Sequence, residues 1–183
     1  RTLDEQPSGR CASFHSKPAS QTTSIRHPDT YSCKGYTFCT MKKILHGILT
    51  RGHQVASRPS KDYPYSSLEK QKPFFKALGM DLYPYFNGTL NISIAPFEFK
   101  MEHPELTFEL VEWTDLHSPE TFSFSRCRVI FKGVEYAGWV YYPHPETKKT
   151  HFQNSSLIEV IAFQISGIQY GDNLDIEINT DEI

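Results

Sequence analysis

Residues Phe122–Tyr142, FSFSRCRVIFKGVEYAGWVYY, decide the fold. Two runs rich in aromatic and β-branched residues, Phe122–Phe131 and Val134–Tyr142, are separated only by Lys132-Gly133. A two-residue break of this kind between strand-like runs is a hairpin signal. Working outward, Ile44–Thr50, Thr89–Ile94, Thr107–Trp113, Leu157–Phe163 and Leu174–Ile178 also read as short strands, the last introduced by Gly171-Asp172-Asn173. One helix is expected, in SSLEKQKPFFKALG. Ser66 or Ser67 is its N-cap, Phe74, Phe75 and Leu78 form its apolar stripe, and Gly79 is its stop. Pro73 either starts the helix or kinks a longer one. Seven short strands with a single helix predict a mainly β domain, a small closed barrel of six to seven strands that leaves no sheet edge unpaired.

The chain carries 19 basic and 21 acidic residues, a net charge of −2. With that balance a large basic footprint for nucleic acid or acidic lipid is not expected. Residues 1–40 differ from the rest, being rich in Ser, Thr and Pro, poor in aliphatic residues and without hydrophobic period. They are expected to form a disordered leader, extra to a domain that starts naturally at MKKILHGI and spans 41–183. Three of the four cysteines lie in this leader (Cys11, Cys33 and Cys39), at spacings unlike a metal or disulfide module, and only Cys127 falls in the domain. No run of 18 apolar residues exists to span a membrane. A single core cysteine and the lack of an N-terminal hydrophobic segment point to the cytoplasm. Asn87, Asn91 and Asn154 head glycosylation patterns, which would matter only on the secretory route.

Common catalytic motifs are missing: there is no P-loop, dinucleotide fingerprint, HExxH, CxxC or GxSxG. The informative stretch is instead YPYFNGTLNISI, Tyr83–Ile94. Side chains alternate along a strand, so Thr89 and Asn91 share one face while Leu90, Ile92 and Ile94 face the core. A hydroxyl and an amide oxygen held side by side are hard ligands suited to Mg2+, if a polyphosphate completes the shell. The same spacing is compatible with a plain tight turn at Asn87-Gly88 and two polar residues solvating an outward face.

The stretch LGMDLYPYFNGTLNISI, Leu78–Ile94, resembles the PY-x-GTLN segment of the archaeal CTP-dependent riboflavin kinases, which fold as cradle-loop β-barrels. ILHGILTRG, YYPHPETKKTH, SSLIEVIA and GDNLDIEI follow the family's order, so the likeness covers nearly all of 41–178. It implies a transfer of phosphate from Mg2+-bound CTP to the ribityl hydroxyl of riboflavin, giving FMN. It also implies Mg2+ on Thr89 and Asn91, and flavin on Thr150 and Glu159, with Thr147 competing for the place of Thr150. Glu159 would orient or deprotonate the attacking hydroxyl; by itself it reads equally as a strand residue facing solvent.

The chain departs from the family in two places. RGHQVASRPS, residues 51–60, stands where the family has a Gly-rich phosphate loop, and keeps only Gly52 with Arg51 beside it as nucleotide contacts. FQISGIQ, residues 163–169, lacks the basic residues expected near the nucleotide, for which Arg51, Arg58, Lys61, Lys148 and Lys149 are substitutes. These departures support a rival expectation, a flavin- or nucleotide-binding sensor without turnover. A third, a secreted glycosylated binding domain, rests on the three glycosylation patterns.

Overall fold

Seven strands and one helix follow in the order β1 (Lys42–Thr50), α1 (Ser67–Ala77), β2 (Leu90–Ser93), β3 (Leu106–Val111), β4 (Glu120–Phe131), β5 (Val134–Pro143), β6 (Leu157–Ala162) and β7 (Asn173–Asn179). The computed structural model describes residues 41–52, 66–147 and 154–180, all within the unit Cys39–Ile183. The expected leader, Thr150 and the remainder of 53–60 lie outside the described residues.

All pairings are antiparallel, in the order β3-β4-β5-β6-β2-β1-β7, and β7 returns to β4. Six strands thus close into a barrel, and β3 is added outside the closed ring. The length of β4 makes this possible. Its first half, Phe122–Phe124, pairs with β3, while its second half, Arg128–Ile130, takes β7 along the same edge. Closure satisfies backbone groups that an open sheet would leave exposed. The β4–β5 hairpin turns at Lys132 and Gly133, whose φ values of 50° and 76° are both positive. A tight two-residue turn of the primed type requires that conformation, which explains the Gly.

Two apolar cores follow from the alternation along the strands. Leu45, Leu49, Ile92, Ile94, Cys127, Val129, Val140, Ile158, Val160 and Ile176 fill the barrel. On the outside, Phe122, Phe124, Tyr141 and Ile161 pack against Leu68 and Phe75 of α1, with Met80, Leu82 and Trp113. Phe75 stands edge-on to both Phe122 and Phe124, ring centres 5.2 Å away.

The helix begins and ends as its sequence suggests, but faces the barrel differently. Ser66 is the N-cap, its Oγ accepting from the Glu69 amide at 3.2 Å. At the other end the Gly79 amide donates to Lys76 O and the Met80 amide to Phe75 O, with Gly79 at φ 97°. This is a Schellman motif, and buried Met80 and Phe75 supply its apolar contact. Pro73 lies inside the helix on its exposed side, so the carbonyl it leaves without a donor can face water. The expected stripe of Phe74, Phe75 and Leu78 is corrected: Phe74 is 38% and Leu78 51% exposed. The buried face is Leu68, Gln71, Lys72 and Phe75.

Candidate functional site

Three oxygen-bearing side chains form a row across three neighbouring strands. Thr50 of β1 lies opposite Asn91 of β2, and Asn91 lies opposite Glu159 of β6. Residues directly opposite in antiparallel strands share a face, with Cβ atoms about 5 Å apart. The expected alternation of β2 holds: Ile92 and Ile94 are fully buried in the barrel and Leu90 packs against them, so Asn91 points out of the barrel wall. Thr89 lies just before the first residue of this strand, Leu90, and is half-buried.

Asn91 is only 8% exposed, although it lies on the outer face. Part of its cover is Gly52. A Cβ built on Gly52 would come within 2.4 Å of Asn91 Oδ1 and 2.5 Å of Nδ2, so the backbone after β1 lies directly against the carboxamide. Thr50 closes the same strand end, its Oγ1 donating to Asn91 O at 3.1 Å. A residue that merely solvates an outward face would not be covered in this way. Arg51 is turned elsewhere, its guanidinium 5.3 Å above the Tyr170 ring.

The turn that precedes Thr89 is tied down from several sides. The Phe86 amide donates to Ala162 O at 3.0 Å, binding the turn to β6. Trp139 Nε1 donates to Tyr85 Oη at 3.2 Å, and the Tyr85 ring stacks on Phe163 at 4.6 Å. Lys72 of α1 reaches the same segment, donating to Tyr85 O at 2.8 Å and Asn87 Oδ1 at 2.6 Å. Burial pushes the Lys72 ammonium below its usual range, with Glu69 and Asp81 opposing the shift.

On the flank of Glu159 stands Tyr141 of β5, whose hydroxyl donates to Gln71 Oε1 at 3.0 Å. Burial, then the carboxylates of Glu159 and Glu120, push this phenol well above its ordinary value, while the bond to Gln71 works against the shift. Glu159 itself is half-buried and engaged with its neighbours.

Among the described residues, no three His, Cys, Asp or Glu gather as a metal cage. A cation at the row would rest on the neutral oxygens of Thr89 and Asn91. Such a donor set fits Mg2+, which commonly keeps waters and takes phosphate oxygens rather than a full protein cage. Of the residues singled out in the sequence, Gly52 and Glu159 both adjoin Asn91, while Thr89 precedes the strand that carries Asn91. Arg51 is near in sequence but committed to Tyr170, and Thr150 with Arg58, Lys61, Lys148 and Lys149 lies outside the described residues. Thr147 is already committed to the backbone: its Oγ1 accepts from the Thr121 amide at 3.0 Å and donates to His144 O at 3.1 Å.

Sequence reading missed Thr50, Gln71, Lys72 and Tyr141. Lys72 was detectable in principle, since Leu68, Lys72 and Phe75 recur at the helical spacing of a buried face. Neither family models nor curated proteins match this chain. No helix among the described residues is long and apolar enough to cross a membrane.

Proposed function

We propose that this barrel is a riboflavin kinase-like phosphotransferase, with Mg2+-bound CTP as donor and riboflavin as acceptor. The observation that carries the reading is the row Thr50–Asn91–Glu159 with Gly52 laid against Asn91. A threonine, a carboxamide and a carboxylate at directly opposed positions of three neighbouring strands support this reading.

Thr89 and Asn91 would hold the Mg2+, which when bound neutralises phosphate charge. The chain's own part is positioning and proton handling. Glu159 accepts the ribityl hydroxyl proton as that oxygen bonds to the terminal phosphorus. The bond from this phosphorus to the bridging oxygen breaks, and the nucleoside diphosphate leaves. In phosphoryl transfer such alignment carries most of the catalysis. Gly52 leaves room for the Asn91 carboxamide, and Thr150 is assigned to the flavin through the family resemblance. The reaction fits a cytoplasmic protein, because nucleoside triphosphates are held there.

A second reading has specific support in the sequence. Only Gly52 remains of a Gly-rich phosphate loop, and 163–169 carries no Lys or Arg, which favours flavin or nucleotide binding without turnover. One experiment separates the two. Riboflavin, Mg2+ and each of CTP, ATP, GTP and UTP are incubated with the protein, FMN is measured by chromatography, and flavin binding is followed by fluorescence quenching. FMN formed with any nucleotide supports the kinase. Quenching without FMN supports the sensor, and neither signal removes both.

A further inference from the structure

Two polar side chains on the buried face of α1, Gln71 and Lys72, reach groups beside the oxygen row. Gln71 accepts from Tyr141, whose phenol feels the charge of Glu159. Lys72, only 2% exposed, donates to Asn87 Oδ1 and Tyr85 O, in the turn immediately before Thr89. Among the described residues Lys72 forms no ion pair with a carboxylate.

A buried ammonium is costly because it gives up hydration, and a carboxylate partner usually offsets the loss. A helix that needed only to dock on the barrel would be served by Leu or Met at this position, since Leu68 and Phe75 on the same face already pack there. The charge is directed instead at one irregular segment. No strand or helix covers Leu78–Thr89, so the placing of Thr89 rests on tethers. Because an ammonium can only donate, its bond to Asn87 Oδ1 also fixes the amide with its oxygen toward α1.

We infer that Lys72 is a positioning residue: acting through Asn87 and the Tyr85 carbonyl, it sets the turn that presents Thr89 and Asn91 to a metal-nucleotide ligand. This rests on the metal reading of the row given above. Groups that orient metal ligands from behind typically alter metal affinity or activity by roughly 10- to 100-fold when removed.

The test compares the full chain with Lys72→Met, Lys72→Arg and Asn87→Ala. Thermal midpoint, Mn2+ affinity in the presence of CTP (by electron paramagnetic resonance) and amide hydrogen exchange over 85–91 are measured. Lys72→Met is expected to keep or raise the midpoint, since Met occupies similar volume without a buried charge. Its Mn2+ affinity should nevertheless fall roughly 10- to 100-fold, with partial recovery in Lys72→Arg. Asn87→Ala, an exposed turn position, should reproduce the loss, and it decides the matter if Lys72→Met does not fold. Wild-type Mn2+ affinity in either folded variant overturns the inference. Should the wild-type protein bind no Mn2+ with CTP, the metal reading of the row fails. Exchange in Asn87→Ala then decides the positioning role alone, faster exchange over 87–91 supporting it and unchanged exchange removing it.

Discussion

Gly52 lies so close to Asn91 that a single added methyl group would stand 2.4 Å from the Asn91 side-chain oxygen. The obstacle is the end of a side chain, so Gly52→Ala can be accommodated by turning the carboxamide away. Stability should change by less than about 1 kcal/mol, while Mg2+-dependent activity falls because the amide no longer faces the row. Gly138→Ala provides the contrast. Its Cβ would meet the Ile161 backbone oxygen at 2.8 Å, where nothing can rotate aside. That variant should lose about 1–3 kcal/mol. Urea denaturation of both, beside Mg2+ titrations, checks the pair; equal destabilisation would remove the special place of Gly52.

Glu159→Gln tests the proton role. The amide keeps size and much of the hydrogen bonding but cannot take a proton, so FMN formation should fall by roughly 10²- to 10⁴-fold. Riboflavin affinity, read from fluorescence quenching, should change much less. Unchanged turnover would leave Glu159 as a binding group only.

The barrel was legible because its signals are local. The Lys132-Gly133 turn, the alternation of Leu90, Ile92 and Ile94 against Asn91, and the Ser66 and Gly79 caps each act over a few residues. The facing of α1 was not, because Phe74, Phe75 and Leu78 are all apolar, and which of them is buried depends on where the barrel wall lies. Lys72 was passed over for a related reason. Composition assigns lysine to solvent, and only the carbonyl of Tyr85 and the amide of Asn87 show why this one is inside. Thr50 could not join Asn91 before the β1–β2 register was known, because 40 residues intervene between them.

Thr147 and Thr150 compete in the sequence for one flavin contact, and only Thr147 lies among the described residues. The Thr147 hydroxyl already holds the Thr121 amide and the His144 carbonyl. Thr147→Val should therefore cost about 1–2 kcal/mol of stability through the lost bonds, leaving flavin affinity nearly unaltered. If Thr150 makes the flavin contact, Thr150→Val should lower flavin affinity. Weakened flavin binding in Thr147→Val alone would move the contact to that residue.

Tyr141 gives the fold a signature at alkaline pH. Burial, then Glu159 and Glu120, raise its phenol well above the ordinary value of 10.0. Between that value and the raised one, the unfolded chain has lost a proton that the folded chain keeps. Folding then takes up a proton, so stability falls as pH rises. The contribution is fully present below about pH 10 and is lost progressively above it. Tyr142 is also raised, by burial and then Glu146, with Lys100 opposing, and adds a slope of the same sign. Since Tyr141→Phe retains Tyr142, the difference between the two proteins isolates Tyr141. At neutral pH the variant should lose about 1–3 kcal/mol, because the buried Gln71 oxygen is deprived of its donor. Between pH 9 and pH 11 its stability should decline less steeply than wild type. Parallel urea unfolding curves with equal slopes across that range would show that the Tyr141 proton is not linked to folding.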